Sequence, residues 1–170
     1  MSKLKLLSGA PNEIIMEREF DAPRHLVIQA MTTPELIKRW LGGVRATVVT
    51  AELDLRVGGR YRNVFRLPDG HEFTFTGVYR EITDDRIVHS EKFDDHPSES
   101  VVTTTLTENA GKTTLHMVIA FESPEVRDLV LRTGMSDGAG ESYDKLDELL
   151  ASGSRSGGEG WARHAVASSR

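Results

Sequence analysis

The chain has 170 residues, with 21 Lys and Arg against 26 Asp and Glu, and a formal net charge of -5 at pH 7. This length suits one domain with a sizeable core. The sequence has no Lys/Arg-rich block, so nucleic acid is not an expected partner. The absence of cysteine excludes a disulfide framework, a thiolate zinc site and a cysteine nucleophile, and is compatible with a reducing compartment.

The amino terminus, residues 1–12, is interpreted as an extension without a targeting signal. Its apolar part is the pair Leu6-Leu7, which is too short for a signal peptide. No stretch of the sequence approaches the roughly 20 apolar residues that a membrane span requires. We therefore expect a cytoplasmic protein without membrane insertion.

A strand and two short helices are predicted to precede the main sheet. Residues 13–20 alternate unevenly and indicate a strand. Asp21 is expected to cap the first helix, with Pro23 in its first turn. Thr33 and Pro34 begin the second helix, and Gly42 ends it. The apolar faces of the two helices comprise Leu26, Val27, Ala30, Met31, Leu36, Ile37, Trp40 and Leu41.

Residues 44–121 are rich in β-branched and aromatic side chains and are divided by short turn signals. The spacing predicts six strands in an antiparallel meander. Such a sheet normally keeps one face wet and one face covered. A second structural element must therefore cover it.

The segment from Ser123 to Ala151 is predicted to cover the sheet. Val126, Leu129 and Val130 point one way around a helix, whereas the later apolar residues lie on nearly the opposite side. We expect a short helix to residue 132, a break at 133–134, and then a long helix. The later apolar stripe comprises Met135, Ala139, Tyr143, Leu146 and Leu150.

Residues 152–170 are predicted to form a flexible, glycine-rich tail. Within it, Trp161 could dock on the domain, although a lone aromatic residue in such a tail is more often uninvolved. The structured domain is expected to span residues 13–151.

Two strands are predicted to turn aromatic residues toward the covered face. In the strand after the Gly58-Gly59 bend, Tyr61, Asn63 and Phe65 share one face, and the alternate positions are arginines. Phe73 and Phe75 in the next strand are expected to join them. A plain core is one reading, but an amide among large aromatics is more typical of a ligand-holding concave face.

The next strand carries a polar pair. Ile87, His89, Glu91 and Phe93 fall on one face by alternation. A His and a Glu on a covered face are costly to bury unless they have partners. Either they meet each other or a ligand, or the face is reversed and both are solvated. If they lie inside, His89 could act as an acid or base whose charge state Glu91 sets.

Further candidate ligand contacts come from the remaining elements. Trp40 and Leu41 end the second short helix near the expected mouth, and Thr104 and Met117 face inward from the last two strands. Met135, Ala139 and Tyr143 face the sheet from the long helix, although helix-to-sheet packing alone would produce the same stripe. No motif for a metal ion or a cofactor occurs.

The order of these elements resembles the helix-grip fold of the START-like (SRPBCC) superfamily. The similarity is to the group named for homology to the C-terminal domain of the Hsp90 ATPase activator. Individually the matching stretches are weak, but their order is specific. They are residues 20–23, 33–40, 54–61, 68–70, 77–82, 133–138 and 142–146.

The resemblance implies an α+β domain in which a curved antiparallel sheet of six to seven strands wraps the long C-terminal helix. It also implies an elongated cavity between them, which in many members holds apolar or amphipathic molecules. Two positions depart from the family pattern, since Leu41 and Ala139 stand where tryptophan is common. Both exchanges would enlarge or reshape the cavity.

Three functions remain open from the sequence. The leading one is binding of a small apolar or amphipathic ligand by a monomer or homodimer without a cofactor. The second is a cyclase or hydrolase that uses His89, Glu91 and Tyr61 as acid-base groups. The third is a chaperone-associated interaction module, which the charged outer face of the sheet disfavours.

Overall fold

The computed structural model describes residues 2–94 and 96–155, apart from the side chains of residues 154 and 155. The expectation for Trp161 and most of the predicted tail fall outside the described residues. In chain order the elements are β1 (Lys5–Leu7), β2 (Glu13–Phe20), α1 (Arg24–Thr32), α2 (Pro34–Trp40), β3 (Thr47–Leu53), β4 (Arg60–Arg66), β5 (Glu72–Ile82), β6 (Arg86–Phe93), β7 (Ser100–Asn109), β8 (Lys112–Ala120), α3 (Pro124–Arg132) and α4 (Met135–Arg155).

The strands of the described chain form one antiparallel sheet in the order β1-β2-β8-β7-β6-β5-β4-β3. The meander from β3 to β8 is confirmed, and β2 closes onto β8 through a register from Glu13 to Phe20. The sheet gains its eighth strand from Lys5–Leu7, which pairs with the free edge of β2. With α4 as the long last helix, this is the helix-grip arrangement.

The predicted helix ends are partly correct. The break before α4 is confirmed, because Gly134 adopts a φ of 77° that favours glycine. Ser123 caps α3 by accepting a hydrogen bond from the Val126 backbone N–H. The expected cap by Asp21 is wrong, since Pro23 occupies the cap position of α1 without a side-chain hydrogen bond.

Leu129 also differs from the prediction. Its side chain is 59% exposed, whereas Val126 and Val130 of the same helix pack against the core. The short α3 touches the body along a narrow strip, so a residue at the edge of its apolar face stays in water.

The main core lies between α1, α2, the second half of α4 and the sheet. Trp40 of α2 stacks on Tyr143 of α4 with ring centroids 6.0 Å apart, and its indole N–H donates to the Ala30 carbonyl at 2.9 Å. Both groups are buried, and this hydrogen bond satisfies the indole N–H away from water. Trp40 therefore joins the two short helices to the long one.

A buried cation fastens α4 to the sheet. Arg18 of β2 is 1% exposed, and its Nη1 lies 2.7 Å from Asp144 Oδ1. Its Nη2 lies 3.4 Å from Asp147 Oδ2, on the next turn of the helix. The guanidinium also lies 5.5 Å from the centre of the Phe20 ring. The two carboxylates compensate a charge that would be costly to bury alone.

We predict that removing the two aspartate charges lowers the unfolding free energy more than removing Arg18 does. In the variant Asp144→Asn/Asp147→Asn the guanidinium stays buried without a counter-charge, and we expect a loss of about 2 to 3 kcal/mol of unfolding free energy. Arg18→Met should lose less, because Asp144 is already 49% exposed and can turn to water.

Urea denaturation measures both losses. The control is Glu72→Gln, which breaks the exposed pair with Arg66 and should cost less than about 1 kcal/mol. A larger loss in Arg18→Met than in the double variant would contradict the proposed role of the carboxylates.

Candidate functional site

The sheet register places the predicted polar and aromatic side chains on one face. Tyr61 pairs with Gly77, Asn63 with Phe75, and Phe65 with Phe73. Across the next ladders Phe75 pairs with Phe93, and His89 with Val102. Directly paired residues point to the same side of a sheet. This inner face also carries Thr104 and Met117, which pair with each other across β7 and β8.

Gly77 lets Tyr61 lie flat on the sheet. A Cβ at Gly77 would fall on the backbone carbonyl oxygen of Ser90 and 2.5 Å from Tyr61 Cε1. The glycine therefore marks a close approach of a ring and a backbone. The β5–β6 register shifts a few residues later, between Tyr79 and Glu81.

The Ser90 peptide is turned out of the regular ladder at this point. Its carbonyl accepts a hydrogen bond from the Tyr61 hydroxyl at 2.8 Å. The Ser90 hydroxyl oxygen instead accepts a hydrogen bond from the Val78 backbone N–H at 3.0 Å, so this N–H still has a partner. Ser90 is 2% exposed. Sequence reasoning assigned this residue to the outer face and missed its role.

His89 is held by the same carbonyl. Its Nδ1 lies 3.0 Å from the Ser90 carbonyl oxygen and 3.0 Å from the Tyr61 hydroxyl oxygen. A proton on Nδ1 satisfies both contacts, since the tyrosine proton is already donated to Ser90. Burial lowers the pKa of His89, so the neutral ring is favoured. His89 and Glu91 lie on the same face, but His89 pairs with Tyr61 and not with Glu91.

Tyr79 completes this aromatic group. Its ring centroid is 5.6 Å from that of Tyr61 and 6.1 Å from that of His89. Burial raises the pKa of Tyr79 to about 12, and also raises the pKa of Tyr61, so both hydroxyls stay protonated. Two-residue alternation indicates the inner position of Tyr79, since the register shift comes after it.

Glu91 is the unusual group of the inner face. It is half-buried, and within the described residues no hydrogen bond or ion pair holds its carboxylate. Burial raises its pKa from 4.5 to about 7. Burial raises the pKa of Tyr61 and of Tyr143, and the charge of Glu91 adds to both shifts. An acid that titrates near neutrality thus faces the interior.

Besides Glu91, two buried side-chain atoms have no hydrogen-bond partner among the described residues, Arg18 Nε and Asn63 Oδ1. Asn63 and Glu91 lie two strands apart, with Phe75 and Gly77 of β5 between them. Buried polar atoms nearly always have partners, so an orphan on the concave face calls for one.

Phenylalanine rings continue the inner face toward the end of β6. Phe65 stacks on Phe73 with centroids 5.0 Å apart, and Phe93 lies 5.4 Å from Phe75. Phe65 is buried, Phe73 and Phe75 are half-buried, and Phe93 is 46% exposed. The set therefore runs from the buried Phe65 to the exposed Phe93, and Leu41 of α2 packs against the cluster around Phe65.

From the helix side, α4 presents a ring and then small side chains. Tyr143 is buried, and its hydroxyl lies 3.7 Å from Met117 Sδ. One and two turns earlier, Ala139 and Met135 are half-buried and pack toward β2, β7 and β8. A Cβ added at Gly138 would meet no atom within 4 Å. The first half of α4 is therefore less tightly packed than the second.

The described residues offer neither a metal site nor a membrane-spanning helix. No group of three or more His, Asp or Glu side chains could hold a metal ion. No described helix is long and apolar enough to span a membrane.

The sheet, the long helix across it and the polar group on its concave face define a START-like helix-grip domain. The sequence matches the family model described as Activator of Hsp90 ATPase homolog 1-like protein over residues 21–151. Because the match spans most of its length, the chain belongs to that family.

Solved structures from bacteria are similar over nearly their whole length. A protein from Rhodobacter sphaeroides has 28% identity and a TM-score of 0.83, over 88% of this chain and 99% of the other. One from Mycobacterium smegmatis has 25% identity and a TM-score of 0.76, over 87% and 97%. An AHSA1-like protein from Aeromonas hydrophila, at 20% identity and a TM-score of 0.65 over 81% and 94%, shows the fold alone. No protein with a curated description matches the chain.

We predict that Gly77→Ala destabilises the protein by about 2 kcal/mol or more, because neither the Ser90 carbonyl nor the Tyr61 ring can move aside freely. Urea denaturation measures the loss. The matched control is Gly138→Ala, where the added methyl has open space and should stabilise α4 by about 0.5 to 1 kcal/mol. Equal effects of the two substitutions would contradict the close approach at Gly77.

We predict that Glu91→Gln stabilises the protein at pH 8 and not at pH 4.5. Because the folded-state pKa of Glu91 is raised, from 4.5 to about 7, the wild-type protein loses stability as pH rises through that window. The gain of the variant should grow across it to about 2 to 3 kcal/mol. His89 has a lowered pKa and acts in the opposite direction, but it is common to both proteins.

Unfolding free energies of the two proteins from pH 4.5 to 8 test this expectation. The control is Glu52→Gln, which removes an exposed carboxylate from β3. If the difference between Glu91→Gln and wild type is the same at every pH, the carboxyl of Glu91 is not buried as described.

Proposed function

We propose that the protein binds a small apolar or amphipathic molecule between the inner face of β4–β6 and the first half of α4. The observation that carries this proposal is Glu91, a half-buried acid without a partner among the described residues, on a face that carries several aromatic rings. Binding sites of this kind are concave and mainly apolar, with few polar groups that orient the ligand.

The division of the core supports the proposal. Two apolar clusters join α4 to β2, β7 and β8, and they include Leu146 and Ile119. The two clusters on the β3–β6 side, around Phe65 and Tyr61, contain no residue of α4. Asn63, His89 and Glu91 lie on this second side and are all half-buried. A ligand would fill the space that α4 leaves over these strands.

The family membership supports the same function. Ala139 stands at the half-buried start of α4, where the resemblance makes tryptophan common. A small side chain at this position leaves volume that an indole would occupy. The Phe93 end of the aromatic set, which is 46% exposed, is the proposed entrance.

A substitution that fills the space tests the proposal. We expect wild-type protein to bind Nile red with enhanced fluorescence and to gain thermal stability from it, because a ligand of the folded state stabilises that state. Ala139→Trp should reduce Nile red affinity by about tenfold or more, and should keep or raise the melting temperature, since the indole enters a space and not a packed core.

The matched control is Glu148→Trp, which adds the same ring to an exposed position of α4 and should leave Nile red binding unchanged. If the interior at this position were instead solid, Ala139→Trp would overpack it, which typically costs about 1 to 3 kcal/mol of unfolding free energy. A strongly destabilised Ala139→Trp, or one that binds Nile red as wild type does, would contradict the proposal.

A further inference from the structure

The charges of the inner face indicate what kind of ligand it selects. Within β2–β8, the inward positions carry two basic side chains, Arg18 and His89. The charge of Arg18 is compensated by Asp144 and Asp147, although its Nε is buried without a hydrogen-bond partner, and His89 is held neutral by burial beside Tyr61 and the Ser90 carbonyl. Neither is available to neutralise a negatively charged group bound near Glu91.

Glu91, in contrast, places a negative charge on the inner face that no described residue neutralises. Its carboxylate has no hydrogen bond or ion pair within the described residues, and the Oδ1 of Asn63, across Phe75, is also an acceptor without a partner. Both oxygens would be satisfied by N–H donors. A charge-assisted N–H···O bond is stronger than a neutral one, and it is stronger still where water is partly excluded.

The surrounding rings favour the same group. Tyr61, Phe75 and Phe93 lie on the same face of the sheet as Glu91. The faces of aromatic rings attract cations, and desolvation strengthens the attraction. An anionic ligand would meet the carboxylate and these ring faces with repulsion on both sides.

We propose that the ligand is a cationic amphiphile, namely a protonated amine on an apolar, ring-containing body, whose ammonium group binds Glu91 and whose body lies along Phe75 and Phe93. This inference rests on the proposed function, since it names the ligand class of the same site. The outward run of rings directs the body toward the exposed Phe93, and the ammonium group inward.

Three probes with the same naphthylmethyl body distinguish cationic, neutral and anionic ligands. They are naphthylmethylamine, naphthylmethanol and naphthylacetate, all substituted at the same ring position, and their affinities are measured by isothermal titration calorimetry at pH 8. Wild-type protein should bind the amine about tenfold more tightly than the alcohol, a ratio typical of one charge-assisted contact. It should bind the carboxylate more weakly than the alcohol.

Glu91→Gln should remove the preference for the amine and leave the affinity for the alcohol within about threefold of wild type. The control Glu52→Gln changes the net charge equally but at an exposed site, and should retain the preference. A folded Glu91→Gln protein is expected from its predicted gain in stability, which urea denaturation verifies on the same samples.

The outcomes distinguish the two proposals. If the alcohol or Nile red binds but the amine is not preferred, or if the preference survives Glu91→Gln, the cationic ligand class is wrong and the binding function stands. If Nile red and all three probes fail to bind wild-type protein, the proposed function itself fails, and this inference with it.

Discussion

The constraint on which the structure depends is that α4 is held most tightly to the sheet in its second half. Arg18 reaches across to Asp144 and Asp147 in the second half of the helix, where Leu146 and Leu150 are also buried. The first half carries Gly138, Ala139 and Gly140, which can fill little volume. A helix fastened in its second half keeps its position although its first half carries small side chains.

The inner face then divides into a packed side and a polar, aromatic side. On the polar side, the missing side chain at Gly77 lets Tyr61 settle onto the Ser90 carbonyl, and the same carbonyl fixes His89. These contacts provide hydrogen-bond partners for the Tyr61 hydroxyl and for His89 Nδ1, and they fix the positions of both rings. Glu91 has no such contact among the described residues, and its raised pKa reflects an acid that the fold itself does not compensate.

The sequence predicted the order of elements and the inward-facing residues well, because both follow from alternation and turn chemistry. Tyr61 and Phe75 were placed on the inner face by a period of two, whereas for His89 and Glu91 alternation showed a shared face and left open whether it was the inner one. Three features could not be predicted from alternation or turn chemistry. Lys5–Leu7 is too short to show a period, and Arg18 meets partners 126 and 129 residues away. The turned Ser90 peptide depends on a backbone distortion that two-residue alternation does not reveal.

The central claim, that a ligand lies between β4–β6 and α4, is tested most directly by nuclear Overhauser effects between bound naphthylmethylamine and methyl groups of the protein. Labelled methyls at Ala139, Met117 and Met135 should show contacts to the naphthalene ring. The exposed methyls of Leu6 and Leu129 should show none. Contacts confined to Leu6, Leu129 or other surface methyls, with none to Ala139, would contradict an interior site.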